Sequence, residues 1–503
     1  MQPVSKQQVI TWGVALAIIG GVVWAFYAFV MLGKISATVP AAATIQVASV
    51  NGGVVGEFKD ATSATARVTP GEYIVRAQSG NNESFTYTKA SWFKTTSVAL
   101  DTPEGALNAS TVARINAQVP MVQNGQLVYT STEDTRVHAL SQTNTDTLLT
   151  SIGDNGGQTV DDINGKTYRA QPIANNTFVA NDGSRLIAVQ NGQVKPLNID
   201  GIEDYIAPLY AIIGANPMQE SFTVTINGTV YLYTSVDAKP QKILETKKRI
   251  SHAAYGGNTL VLYSIDMPSA KEDITKAYTD NGYAVNPLVV DIASKSSKEI
   301  TGPISDASVS PNGKLATIRH RGSKAMDVVD LTDNSVMQTM EAPAAATPFW
   351  INNDEFVYER NGFVRQFNAP NHKGVAIGNV GKTVTSITKN GTDYLVSAID
   401  YTSSPAKNSV VRLQIAALNA TVEKASAETP ITSNDGWSVE YSNITKPTLF
   451  VKTAFTILND DNQAYINNTK NGRKAALDAV RAKGIDPAQF TVLYSPSDAE
   501  LSQ

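Results

Sequence analysis

Short β-prone runs recur along much of the chain, and Gly, Asn, Asp and Pro break them at short intervals. Residues 304–340 show this most clearly. Ile304–Val309 is a β-prone run, and Ser310-Pro311-Asn312-Gly313 is a turn, because Pro presets φ and Asn-Gly accepts positive φ. Residues 314–320 set Ala316 and Ile318 on one face and Thr317 and Arg319 on the other. A mostly apolar third run, 326–331, is followed by an Asp333-Asn334 turn and a fourth run, 335–340. Four short antiparallel strands cannot bury both faces alone, so this unit must stack on copies of itself.

The cadence recurs. Strands that follow a turn are predicted to begin at Gly125, Gly183, Gly228, Asn258, Gly313, Glu355 and Gly391. The step from Gly313 to Gly391 (391 − 313 = 78) is two units of about 40. The steps from Gly183 to Gly228 (45) and from Gly228 to Asn258 (30) fit less well. The fold class predicted is mainly β, a β-propeller of about seven blades over residues 118–420. A pair of β-sandwiches is the alternative, which the recurrence disfavours.

Shorter β-runs, at 44–50, 65–68, 73–77, 84–88 and 95–100, are broken by Gly52-Gly53, Pro70-Gly71 and Asn81-Asn82. They predict a small β-sandwich-like domain over 44–102, after a short connection at 36–43 and before a linker at 102–117. The C-terminal residues 435–503 predict a small α+β domain. Leu449, Val451, Phe455 and Ile457 alternate as a strand; residues 473–483 are helical, with Ala476, Leu477, Ala479 and Val480 on one side, and Gly484 is the stop.

Residues 7–33 carry no charge, and about 20 apolar residues span a bilayer. The expectation is a short cytoplasmic tail (1–8) and a single transmembrane helix (9–33), with Trp12, Trp24 and Tyr27 toward the interfaces. A cleaved signal peptide has an apolar core of only ~7–15 residues and then a small-x-small site. This run is longer and ends in Lys34, which favours an uncleaved anchor, although Ala37 and Ala41 to Ala43 keep cleavage open. Lys6 and the α-amino group bias the tail inward, so the bulk of the chain is expected to be extracytoplasmic.

A net charge of −4 with 17% charged residues gives no footprint for nucleic acid. The absence of cysteine excludes disulfides, thiolate metal sites, cysteine nucleophiles and a lipoprotein anchor, and points to a bacterial cell-membrane protein.

Candidate chemistry is sparse, and no cofactor, metal or nucleotide is expected. Residues 376–383 (AIGNVGKT) match a relaxed phosphate-loop pattern, but the residues that follow read as a strand, where that chemistry needs a helix N-terminus. His138, His252, His320 and His372 are scattered, and no G-x-S-x-G elbow occurs. Residues 161–165 (DDING) and 459–462 (NDDN) hold candidate Ca²⁺ oxygens without the EF-hand spacing, so solvated turns are the default. Carboxylate pairs for glycoside cleavage cannot be found by spacing when the partners come from different blades, and stay open. A long insertion, 267–283, carries both charge signs and two Tyr. Met267, Lys271, Asp273, Tyr278 and Tyr283 are its candidate partner-binding residues, with a solvated excursion as the alternative.

In residues 304–340 the order strand, S-P-N-G-K, strand, D-L-x-x, strand resembles a blade of the TolB-type (WD40-like) β-propellers. Val68-Thr69-Pro70-Gly71-Glu72-Tyr73-Ile74-Val75 resembles the turn-and-strand signature of small β-domains of the PEGA type. The first resemblance implies a binding or scaffolding role in the cell envelope, toward a protein or a cell-wall glycan. An envelope hydrolase acting on glycan or peptide at the propeller mouth, and a purely structural spacer, are the rivals.

Overall fold

A computed structural model describes residues 14–22, 32–131, 137–149, 170–181, 186–197, 211–265, 286–415, 420–455 and 462–502. The protein is mainly β, built from one nine-stranded sheet and seven four-stranded sheets among the described residues.

Residues 14–22 are helical, and Val14, Leu16, Ile18, Ile19 and Val22 on them are exposed. The rest of the expected span, apart from Leu32 and Gly33, lies outside the described residues. Among the described residues no helix is long and apolar enough to cross a membrane.

The first strand, β1 (Gly33–Ser49), begins earlier than expected, and residues 36–43, read as a connection, belong to it. Pro40 and the alanines after it do not end the strand; its pairing with β2 (Val54–Val68) shifts register between Thr38 and Ala43. The first half of β1 also pairs in parallel with β5 (Thr95–Ala99), and the second half pairs with β3 (Gly71–Ser79). One strand thus serves two pairings around a core that includes Ile35, Val39, Ile45, Val47, Val75 and Val98.

This small domain shares a sheet with strands from much later in the chain. Its β4 (Asn82–Ala90) pairs with the strand Lys373–Asn379, which makes a continuous sheet with Glu355–Arg360 and Phe363–Asn368. At the junction a Cβ on Gly374 would stand 2.2 Å from the Phe85 ring, so only glycine lets the two strands meet under that ring. Phe85 stacks on Phe367 at 6.2 Å, and the Tyr87 and Tyr358 hydroxyls hydrogen-bond at 3.0 Å. Beneath them lies a buried charge network. Arg365 donates to both Glu83 oxygens, at 2.6 and 3.1 Å, and stands 3.6 Å from Glu341, which also pairs with Arg76. Burial works against the Arg365 charge, but the facing carboxylates outweigh it and raise its pKa.

Five further antiparallel sheets follow one another in chain order, each of four strands joined sequentially. Residues 304–341 form the fifth, as expected. Gly313 takes φ +73°, its N–H donates to Ser310 O, and a Cβ there would stand 2.6 Å from Gly256 O of the preceding sheet. The sixth set of strands is the half of the nine-stranded sheet just described. The seventh sheet comprises Thr383–Asn390, Asp393–Asp400, Lys407–Gln414 and, from far earlier in the chain, β6 (Asn108–Ala113). First strands neighbour one another from sheet to sheet: Ala117–Gln123 lies beside Ala170–Ile173 on one side and Thr383–Asn390 on the other. This arrangement is compatible with a propeller-like fold.

The last sheet is of a different kind. Ile431–Ser433, Trp437–Ser442 and Thr448–Thr453 are antiparallel, and Thr491–Ser495 adds in parallel after the helix Asn462–Ala482. That helix starts well before residue 473, where it was expected. Its Gly472 is a packing glycine, because a Cβ would stand 2.5 Å from the Phe455 ring. A second helix, Ala420–Glu428, was not anticipated. The unit docks through Asn443 to Ser110 (3.1 Å) and Gln142 to Thr448 (2.8 Å).

A candidate binding cavity at the meeting point of seven sheets

Where the first strands converge they leave a cavity of about 700 Å³. Each of the seven sheets supplies a wall segment: Gln118 from the first, Gln171 from the second, Asn216 from the third, Ala254 from the fourth, Asp306 from the fifth, Phe349 from the sixth and Thr388 from the seventh. Tyr263 and Ser397 add to it from other strands, and the exposed Tyr401 from the turn after Asp400.

Much of the polar wall is bonded internally, which fixes its shape. Thr347 donates to Asp306 at 2.9 Å, Trp350 Nε1 donates to Ser308 Oγ at 3.0 Å, and Asn216 Nδ2 donates to Val309 O at 2.8 Å. Other groups are left over. The buried Thr130 and Ser397 hydroxyls, both on the lining, have no hydrogen-bond partner among the described residues. An unmet buried hydroxyl costs free energy that a polar guest or a water recovers.

The wall carries one charged side chain, Asp306, among its described lining residues. Lys382 stands just behind it and donates to Ser409 Oγ at 3.1 Å; burial lowers its pKa, with Asp400 opposing. Glycosidic cleavage by acid and base needs two carboxylates, and the described lining holds one. The chemistry on offer is hydrogen bonding from amides and hydroxyls, together with the apolar edges of Phe349 and Tyr263.

The phosphate-loop lookalike lies elsewhere in purpose. Lys373–Asn379 turns through Gly381 (φ +65°) directly into Thr383–Asn390, so a strand stands where a helix N-terminus would gather phosphate. The histidines are dispersed. His138 Nδ1 meets Asp146 at 2.8 Å and stacks on Tyr129, Ser251 meets His252 Nδ1 at 2.8 Å, and His320 lies 3.7 Å from Asp327. No group of three metal-ligating side chains occurs among the described residues. Met267, Lys271, Asp273, Tyr278 and Tyr283 lie outside the described residues, as do residues 161–165 and 459–461. The strand leading into that insertion ends at Tyr263, which lines the cavity.

The cavity itself escaped the sequence reading. Its wall is drawn from seven places far apart in the chain, which no local pattern in the sequence links. No protein-family model and no curated protein matches this chain.

Proposed function

We propose that this chain is a membrane-anchored, extracytoplasmic binding protein of the bacterial cell envelope, in which the seven sheets act as blades of a TolB-type propeller. The strand order supports the propeller reading. A chain-distant strand, β6, completes the seventh sheet, and the first sheet lies beside the seventh, as a ring requires. The uncharged, exposed apolar residues that precede Gly33 support the anchor.

The observation that carries the function is the cavity wall: amides, hydroxyls and, among the described residues, two unmet buried hydroxyls and a single carboxylate. Such a wall suits an uncharged polar ligand, a glycan or a peptide backbone, and disfavours phosphates and polyanions. The test is calorimetric titration of the full chain in nanodiscs with neutral N-acetylated oligosaccharides and with uncharged peptides. Saturable binding to one class, weakened about tenfold by Asp306→Asn or Ser397→Val (~1.4 kcal/mol), is expected. No binding by either class would end this reading.

A further inference from the structure

We propose that the turn at Ser91 to Lys94 is a second membrane contact, inserting Trp92 and Phe93 into the bilayer interface beside the point where the anchor leaves it. This rests on the anchor reading given above. Trp92 is 40% and Phe93 60% exposed, so two large aromatic side chains stand side by side on the surface. Phe93 has φ 60°, a left-handed backbone that aromatic residues rarely adopt. The conformation turns the chain tightly between Ala90 and Thr95 and holds both rings at its tip.

The position of the turn names its occupant. Lys34 N–H donates to Lys94 O at 2.8 Å, and a Cβ on Gly33 would stand 2.5 Å from Ser91 O. The turn is therefore packed on Gly33, the residue at which the uncharged run 7–33 ends. Any bilayer that holds that run lies within reach of the turn. The charges around it agree. Lys34, Arg67, Lys89 and Lys94 are exposed at this end of the small domain, with Lys34 and Arg67 opposite one another on β1 and β2 and Lys89 paired to Glu72 at 3.5 Å. Aromatic rings at headgroup depth ringed by Lys and Arg are the side chains an anionic lipid interface selects. The consequence is orientation: a helix alone leaves the domain free to swing, whereas two contacts fix how the propeller stands over the membrane.

The chain has no cysteine, so one introduced cysteine carries a unique label. In the full chain, in nanodiscs of phosphatidylglycerol and phosphatidylcholine, an environment-sensitive fluorophore is placed at Ser91→Cys, at Ile18→Cys, or at Ser79→Cys, an exposed site at the opposite end of the β3–β4 pair from Ala90. Quenching is read with lipids bearing a shallow spin label at 91 and 79 and a mid-chain spin label at 18. Expected is strong quenching at 18 and 91 and little at 79, with quenching at 91 falling at least threefold in Trp92→Ser/Phe93→Ser while that at 18 is unchanged. Quenching at 18 without quenching at 91 overturns this proposal and leaves the anchor standing. No quenching at 18 overturns both. A label at 91 shielded from aqueous iodide yet untouched by lipid quenchers points to a protein contact, a second copy or a partner, and also overturns it. Replacing phosphatidylglycerol by phosphatidylcholine alone should weaken quenching at 91 only.

Discussion

Removing Glu83 should cost far more than its single residue suggests, because it holds the small β-domain to the sheet through a charge that water cannot reach. Glu83, Arg365 and Glu341 are all buried, and Arg76 nearly so. Two arginines and two glutamates alternate, so the network is neutral as a whole. Breaking a buried pair by deleting one partner typically costs about 3–5 kcal/mol, since the survivor is left charged and dry. Glu83→Gln keeps the shape and removes the charge. Arg365 then retains only the more distant Glu341 at 3.6 Å, which Arg76 already shares, so a loss of about 3 kcal/mol is expected. Arg365→Met leaves Glu83 without a cation and should cost toward about 5 kcal/mol, including its packing over Phe85 at 5.8 Å. The double variant Glu83→Gln/Arg365→Met removes both charges together and should lie within about 1–2 kcal/mol of wild type, so the two losses should fail to add. Urea unfolding of the full chain in detergent, followed by tryptophan fluorescence, measures all four corners of the cycle. A loss below about 1 kcal/mol for Glu83→Gln, the range of exposed pairs, would refute the claim that this interface is dry.

Three other outcomes are expected. Gly374→Ala should destabilise by about 1–3 kcal/mol in the same assay, since a Cβ there meets the Phe85 ring at 2.2 Å; an unchanged midpoint would mean the strands do not pair as described. Burial holds the Glu359 carboxyl above the usual carboxylate range, so the folded protein binds that proton more tightly than the unfolded chain. Its contribution therefore favours folding below the usual carboxylate pKa and is lost as the pH rises through the folded value, and Glu359→Gln should raise Tm at pH 7.5 relative to wild type and not at pH 4. Protease added to intact spheroplasts should digest the chain beyond Lys34, and full protection would reverse the proposed topology.

The β-character and several of the turns were legible because they are local. Asn124-Gly125, Asn191-Gly192, Asn227-Gly228 and Asn361-Gly362 all take positive φ at both positions, the type I′ geometry that Asn-Gly favours. The uneven spacing of the predicted strands has a simple cause. Gly228 precedes the third strand of its sheet, Thr229–Tyr233, whereas Asn258 precedes the second, Thr259–Tyr263, so unlike strands were being compared. Measured from second strand to second strand, Phe222 to Thr259, Leu315 to Glu355 and Glu355 to Asp393 are all steps of about 40, the length of a propeller repeat.

What the sequence hid is everything settled by long-range contact. The Asn-rich start of the C-terminal helix has low helix propensity, and Gly472 within it looks like a break. Tertiary packing overrides both, because the Phe455 ring occupies the space a side chain would need. The same holds at the edge of the small domain. Nothing in residues 82–90 announces a partner nearly three hundred residues away, yet Glu83 is a carboxylate that opens the buried run 83–87 of its strand. A charge at an inward position asks for a counter-charge, and Arg365 is one such cation on an equally buried strand. Inward-pointing charges are also a device that keeps an exposed strand edge from pairing with the wrong neighbour. Here the device is matched on both sides, so that β4 can add to this sheet and is penalised for adding to any other. The pairing of Glu83 with Arg365 accordingly specifies where the small domain sits, while Phe85, Tyr87 and Phe367 join the buried apolar cluster that keeps it there.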